Sequence, residues 1–219
     1  MMKIYDIEEN NFIGVFIRPS DKIVIVPSII PEADREMMEE VFKVPVIETT
    51  IGGTNILGSL IALNSHGAVA SNIINNNEFQ HLAKQMNLVV LQDRHNALGN
   101  SILLSETKAL ISPFLSRASQ QRIENVLDVE TLRGTIAGQD NVGMSAVVTT
   151  KGLICHPQIT EEEKELIDDF FGMRSTTSTV NFGIPLVGAG LCANSHGALI
   201  GGKTTGVEMN RIENALDLI

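Results

Sequence analysis

Two cysteines, Cys155 and Cys192, and five histidines, His66, His81, His95, His156 and His196, are the side chains with the readiest nucleophilic or metal-binding chemistry in this sequence. The cysteines form no CxxC pair, and in a reducing compartment such isolated thiols serve as small buried hydrophobes. No two histidines stand at HxH or HxxxH spacing, so no metal site is expected. Neither Gly52-Gly53 nor Gly201-Gly202 forms GxGxxG after a strand, and both pairs are expected to be turn glycines.

The elements that must position these residues repeat. Gly14, Gly58, Gly99, Gly143 and Gly188 are separated by 44, 41, 44 and 45 residues, and each follows an aliphatic residue, Ile13, Leu57, Leu98, Val142 or Val187. Three residues before the glycines stand Asn11, Asn55, Asn96, Asp140 and Pro185. After each glycine an apolar run, a turn and a second apolar run predict a hairpin. In the second and fifth units the turn is the string Asn-Ser-His-Gly-Ala, at Asn64–Ala68 and Asn194–Ala198, whose Asn and Gly are expected to supply positive φ. A helix follows: Glu32 to Phe42, a segment whose apolar positions are Phe79, Leu82, Ala83 and Met86, Arg117 to Leu127, Glu161 to Phe171, and a last one on Ile212, Ala215, Leu216 and Ile219. Thr160 with Glu163 has capping-box spacing, and Asn77 is a candidate N-cap. Third strands are expected at Val44–Ile47, Leu88–Leu91, Leu132–Ala137 and Thr177–Phe182. Each unit is therefore β-β-α-β, with boundaries near 10–54, 55–95, 96–139, 140–184 and 185–219 in one domain.

The fifth unit has no third strand after its helix, while an orphan strand-like segment, Lys3 to Ile7, precedes the first glycine. If that segment fills the vacancy, five units close into a ring without a free edge. An open solenoid would leave one unit incomplete and require a polar cap.

Composition limits the functions such a ring can have. With 43% hydrophobic residues and short apolar runs, the chain can bury a core and has no segment near the roughly 20 residues of a membrane span. Met1 to Asn10 carries Asp6, Glu8 and Glu9 without an apolar stretch, so a cytoplasmic location is expected. The net charge of -10 opposes a grip on nucleic-acid phosphates and favours contact through basic proteins. The acidic stretch Glu161 to Asp169 is expected to be a solvated helix face.

A closed ring of five β-β-α-β units resembles the pentein fold, a five-fold pseudosymmetric α/β propeller. The strings Ile56–Leu60 (Ile-Leu-Gly-Ser-Leu), Asn64–Gly67 (Asn-Ser-His-Gly), Ala97–Asn100 (Ala-Leu-Gly-Asn) and Val142–Ala146 (Val-Gly-Met-Ser-Ala) resemble the translation initiation factor 6 family. The resemblance runs from Asn10 to the last residues and is closer to the archaeal branch, whose members lack the eukaryotic C-terminal tail. It implies binding to the large ribosomal subunit, mainly through a ribosomal protein on its intersubunit face, anti-association with respect to the small subunit, and a part in large-subunit maturation. It also implies release by an elongation-factor-like GTPase with a Shwachman-Bodian-Diamond-type protein. It calls for no cofactor.

Other penteins modify guanidino groups with a cysteine nucleophile in the last unit, where Cys192 stands, so such an enzyme is the alternative. A thiolate needs a nearby base. Here the residues two after the histidines are Ala68, Ala83, Ala97, Gln158 and Ala198, never an acid, and Cys192 lies between Leu191 and Ala193 in an apparent core strand. Residues shared by all units hold the ring together, so function is expected where one unit departs from the pattern. The position after the repeat glycine is Val15, Ser59, Asn100, Met144 and Ala189, and only the third unit places a carboxamide there. The resemblance puts Asn100 and Ser59, with Asn55 and Asn96 nearby, against the large subunit. The hairpin tips at Asn64 and Asn194 are expected on the opposite rim.

Overall fold

The computed structural model describes residues 1–218. Its first unit comprises a 3-10 turn at Ile13–Val15, β2 (Arg18–Pro19), β3 (Val24–Pro27), α1 (Glu32–Phe42) and β4 (Val46–Thr49), preceded by β1 (Met2–Ile4). The second has α2 (Leu57–Leu60), β5 (Ile61–Leu63), β6 (Ala68–Ser71), α3 (Asn76–Ala83) and β7 (Leu88–Leu91). The third has α4 (Leu98–Ser101), β8 (Ile102–Leu104), β9 (Lys108–Ile111), α5 (Arg117–Leu127) and β10 (Glu130–Arg133). The fourth has α6 (Val142–Ser145), β11 (Ala146–Val148), β12 (Leu153–Cys155), α7 (Glu161–Phe171) and β13 (Ser175–Thr177), and the fifth α8 (Val187–Gly190), β14 (Leu191–Ala193), β15 (Ala198–Ile200) and α9 (Gly206–Leu216).

Each unit contributes a three-stranded sheet whose middle strand is antiparallel to the first and parallel to the third. In the fifth sheet the third strand is β1, parallel to β15 with Met2 opposite Ala198 and Ile4 opposite Ile200, so the amino terminus closes the ring. The paired segment is shorter than Lys3 to Ile7, because Ile7 already pairs across a turn with Asn10. The third strands of the third and fourth units end at Arg133 and Thr177 for the same reason. The chain then enters bridged turns, Ile136 opposite Gln139 and Val180 opposite Ile184, where the expectation extended the strands.

Five apolar clusters, one between each sheet and its helix, form the core, and they cross unit boundaries. Cys192 and Leu199 of the fifth sheet pack with Ile13, Val24, Val26, Met38 and Phe42 of the first unit. Burying side chains of this size is worth roughly 1.5–3 kcal/mol each, which welds neighbouring units.

The glycines occupy a different element from the one expected. They lie inside the single turns Ile13–Val15, α2, α4, α6 and α8, which precede the first strands. A Cβ on Gly58 would lie 2.0 Å from the carbonyl oxygen of Gly14, on Gly99 2.0 Å from that of Gly58, and on Gly143 2.2 Å from that of Gly99. On Gly188 it would lie 2.4 Å from that of Gly143, and on Gly14 1.9 Å from that of Gly188. Each glycine thus seats the backbone of the unit before it, and the set closes on itself.

The helices begin where side chains cap them. Thr160 and Glu163 form the expected capping box, but the N-cap of α3 is Asn75, not Asn77, because Glu78 then falls at the third helical position and returns a bond to the Asn75 backbone. The α3 helix stops at Ala83, which is exposed, so its stripe is carried by Phe79 and Leu82, with Met86 packing from beyond the helix. The Ile219 position of the last stripe lies outside the described residues. Among the described residues no helix is long and apolar enough to cross a membrane.

Candidate functional site

Topology gives the ring two unlike ends. Middle strands, running parallel to the third strands, deliver the chain to the helix N-termini at the same end as the loops that lead into the glycine turns. Hydrogen bonds between the two confirm it: Glu78 accepts from Gly52 and Gly53 backbone N–H groups at 2.7 and 2.8 Å, Glu163 from Ala137 and Gly138 at 2.9 Å each, and Glu208 from Phe182 and Gly183 at 3.2 and 2.9 Å. Hydroxyls of Thr50, Thr135 and Thr179 add a third donor to each carboxylate. Burial pushes the Glu208 carboxyl up, but these donors and the capping bonds outweigh it and hold the group at about 2; Glu78 and Glu163 are lowered for the same reason.

The third unit inverts this lock. Its helix carries Ser119 at the equivalent position, and the carboxylate is on the loop: Asp93 accepts from the Ser119 hydroxyl at 2.6 Å and from the Ser116 and His95 backbone N–H groups at 2.9 and 3.0 Å. Against the cost of burial these bonds hold Asp93 at about 2. His95 in turn stacks on Phe114, with ring centroids 5.7 Å apart.

The other end carries hairpin tips and helix C-termini. Asn64 Nδ2 donates to the Leu127 carbonyl at 2.8 Å, and Asn194 Nδ2 to those of Ser20 and Phe42 at 2.9 Å each. The recurring Asn-Ser-His-Gly string is therefore a clamp on the last carbonyls of the next unit's helix. Its glycines do not have positive φ, as expected of turn glycines, but leave room for backbone: a Cβ on Gly67 would meet the Val126 oxygen at 2.8 Å, and on Gly197 the Val41 oxygen at 2.3 Å.

The four residues singled out from the sequence all lie at the glycine end, in the second and third units. Asn100 is half-buried in α4, and its Oδ1 is buried with no partner. Ser59, in the adjacent α2, is only 8% exposed, so it presents little of its own surface. Asn55 and Asn96 are half-buried in the loops leading to those turns, and Asn96 donates to Asn72 Oδ1 at 3.0 Å. The same end carries exposed apolar side chains that sequence reasoning missed: Phe182 is 81% exposed, Val207 66% and Phe114 61%, with Ile56 and Ile73 also exposed. Phe182 has φ +62°, a left-handed conformation costly for a bulky residue. Its flanks, Asn181 and Gly183, were the available signal, since an aromatic between turn formers has no core to enter.

The nucleophile candidates lie elsewhere. Cys192 sits in β14 as expected, 3% exposed, donating to the Ile17 carbonyl at 3.5 Å, and burial pushes its thiol up to about 12 although Arg18 opposes the shift. Cys155 is likewise buried, at about 12. Among the described residues no cluster of His, Cys, Asp and Glu could hold a metal. Gly201-Gly202 are not left-handed turn glycines, unlike Gly52 and Gly53. Gly202 is followed by Lys203 and Thr204, and with Gly197 it completes a G-x-x-x-x-G-K-T spacing. Ala198–Ile200 between them is strand, however, and the Gly202 N–H is taken by Asp6 at 2.7 Å, so no phosphate cradle forms.

Comparison with known proteins agrees with this architecture. A family model described as the eIF-6 family matches residues 2–215. Translation initiation factor 6 of Methanosarcina mazei is 38% identical over 100% of both chains, and that of Pyrococcus horikoshii is 36% identical over 98% of this chain and 97% of its own. Among solved structures, the N-terminal domain of ArgZ(N71S), covalently bound to a reaction intermediate, superposes with a TM-score of 0.53 at 13% identity, covering 82% of this chain and 73% of that one. That likeness shows the fold alone, a pentein.

Proposed function

The chain belongs to the eIF-6 family, and on that premise we propose that it binds the large ribosomal subunit through the glycine end of the ring and thereby keeps the small subunit from joining. A role as a translation factor follows from the family; the subunit, the face and the mode of action are the proposal. The observation that carries the choice of face is Asn100 in α4 at the glycine end, the one carboxamide among five equivalent positions, half-buried and with its Oδ1 left without a partner in the folded chain. Such a group costs about 1–3 kcal/mol, and a partner contacting the exposed part of this half-buried side chain relieves that cost by turning the carboxamide to meet a donor. Phe182, Val207, Phe114, Ile56 and Ile73 are exposed on the loops and helix N-termini of the same end, and exposed apolar surface marks interaction sites.

The partner at this face is a ribosomal protein, since a net charge of -10 repels RNA phosphates. Ser59, Asn55 and Asn96 frame the contact. No covalent step is involved: the Cys192 thiol is protonated and boxed in the core. Binding the free large subunit alone shifts the joining equilibrium by mass action, about 2.7 kcal/mol at a hundred times the dissociation constant. Release by an elongation-factor-like GTPase with a Shwachman-Bodian-Diamond-type protein, a part in large-subunit maturation and a cytoplasmic location complete the proposal. Asn100→Ala tests the face. The variant should fold normally, bind isolated large subunits about tenfold more weakly, a loss of roughly 1–2 kcal/mol, and require more protein to block joining. Unchanged affinity for Asn100→Ala and for Phe182→Asp would move the interface elsewhere on the ring.

A further inference from the structure

Four residues after the repeat glycines stand Arg18, Ala62, Leu103, Val147 and Cys192. All five line a channel along the ring axis, with a free volume of about 70 Å³, that runs from the hairpin end to Gly14, Gly143 and Gly188. Arg18 alone is charged among them. Its Nη2 donates to the Gly58 carbonyl and, at 3.1 Å, to that of Gly99, directly beneath the glycine turns. Its Nε is buried without a partner, and none of the ion pairs among the described residues includes it.

We propose that the axial channel is a binding site for a small monovalent anion of the halide or nitrate class, held against Arg18. A guanidinium keeps its charge under all ordinary conditions, and the two carbonyl dipoles that accept from Nη2 do not neutralise it. Arg18 is half-buried in the channel, and a charge partly withdrawn from water without a counter-ion is costly. Desolvation accordingly pushes the Arg18 pKa down. The Cys192 thiol beside it is neutral and supplies no counter-charge.

The channel limits what can enter. Asp21 and Glu106 line its hairpin end, where their carboxylates accept the Ser195 and Ser65 backbone N–H groups at 2.7 and 3.1 Å. These two negative charges oppose polyvalent phosphate or sulfate, and the volume excludes a nucleotide. A compact, singly charged anion meets the least opposition. The inference stands apart from ribosome binding, which uses the outer rim of the opposite end.

Bromide is the probe. Crystals of the full chain equilibrated in about 0.1 M bromide should show an anomalous peak in the channel beside the Arg18 guanidinium. In solution, replacing gluconate by chloride at constant ionic strength should raise the unfolding midpoint by about 2–4 °C, and Arg18→Gln should abolish the difference. If that variant does not fold, the wild-type anomalous map decides alone. Ordered water and no bromide on the axis overturns the proposal. So does a peak seen only in molar bromide with no halide dependence of the midpoint, which would mean an adventitious ion only.

Discussion

The ring is decided by contacts of single atoms. A methyl group on Gly99 would press on the Gly58 oxygen at 2.0 Å, on Arg18 Nη2 at 2.7 Å and on the Ile61 oxygen at 2.8 Å, and two of those three neighbours are backbone. Gly99→Ala should therefore cost more than about 3 kcal/mol and show little soluble, folded protein. Gly138 has φ +70° and open space around it, so Gly138→Ala should cost only about 1 kcal/mol, the left-handed penalty alone. Comparable unfolding midpoints for the two variants would refute the seating of one unit on the next. The repeat glycines were legible because they recur in register, but their reason was not. The atoms that exclude a Cβ belong to the preceding unit, and no local pattern reports them. Asn100 was legible as the one carboxamide among five equivalent positions, whereas the burial of Ser59 depends on the neighbouring turn. Arg18 was legible in the same register, as the one charged residue four positions after a repeat glycine.

At the scale of elements, the loops and helix N-termini are joined by acids with many donors, of which Glu78, Asp93 and Glu208 are buried. Glu208 is 5% exposed and held at about 2, against an ordinary value of 4.5. Its folded pKa lies below its unfolded one, so its contribution is complete above about pH 4.5 and disappears as pH falls toward 2. Glu78 and Glu163 act in the same direction. The unfolding free energy should fall steeply with acid across that window, and Glu208→Gln should lower stability at neutral pH by roughly 2 kcal/mol and flatten the acid limb. An unaltered acid limb in Glu208→Gln, followed by denaturant titration from pH 6 to 2.5, would contradict this. The capping boxes were legible where Thr160 precedes Glu163. Their second task, bonding the previous loop, was not, because the Gly52, Ala137 and Phe182 amides stand about 25 residues away in the sequence. The exchange of roles between Asp93 and Ser119 was hidden for the same reason. The single turns holding the glycines were also missed, since three or four mostly buried residues show no period that separates a turn of helix from a strand.

For the whole molecule, β1 supplies the third strand of the fifth sheet, pairing the side of β15 that would otherwise lie open, and brings Met1 to the Leu218 carbonyl, 3.2 Å from its amino group. Deleting residues 1–7 should cost several kcal/mol of a total of about 5–15 and lower the melting temperature markedly; a truncated chain that melts like the full one would deny the closure. That vacancy was legible by counting strands, while the length of the closing strand was not, since it is set by the turn at Ile7 and Asn10. The closed ring gives one end to clamps, and the other, with Asn100 and the exposed Phe182, Val207 and Phe114, is the face proposed for a partner. Co-sedimentation of the full chain with separately isolated large and small ribosomal subunits tests this most directly. The protein should pellet with the large subunit and not the small one, and Asn100→Ala should pellet less. Equal pelleting with both subunits, or with neither, would contradict the account.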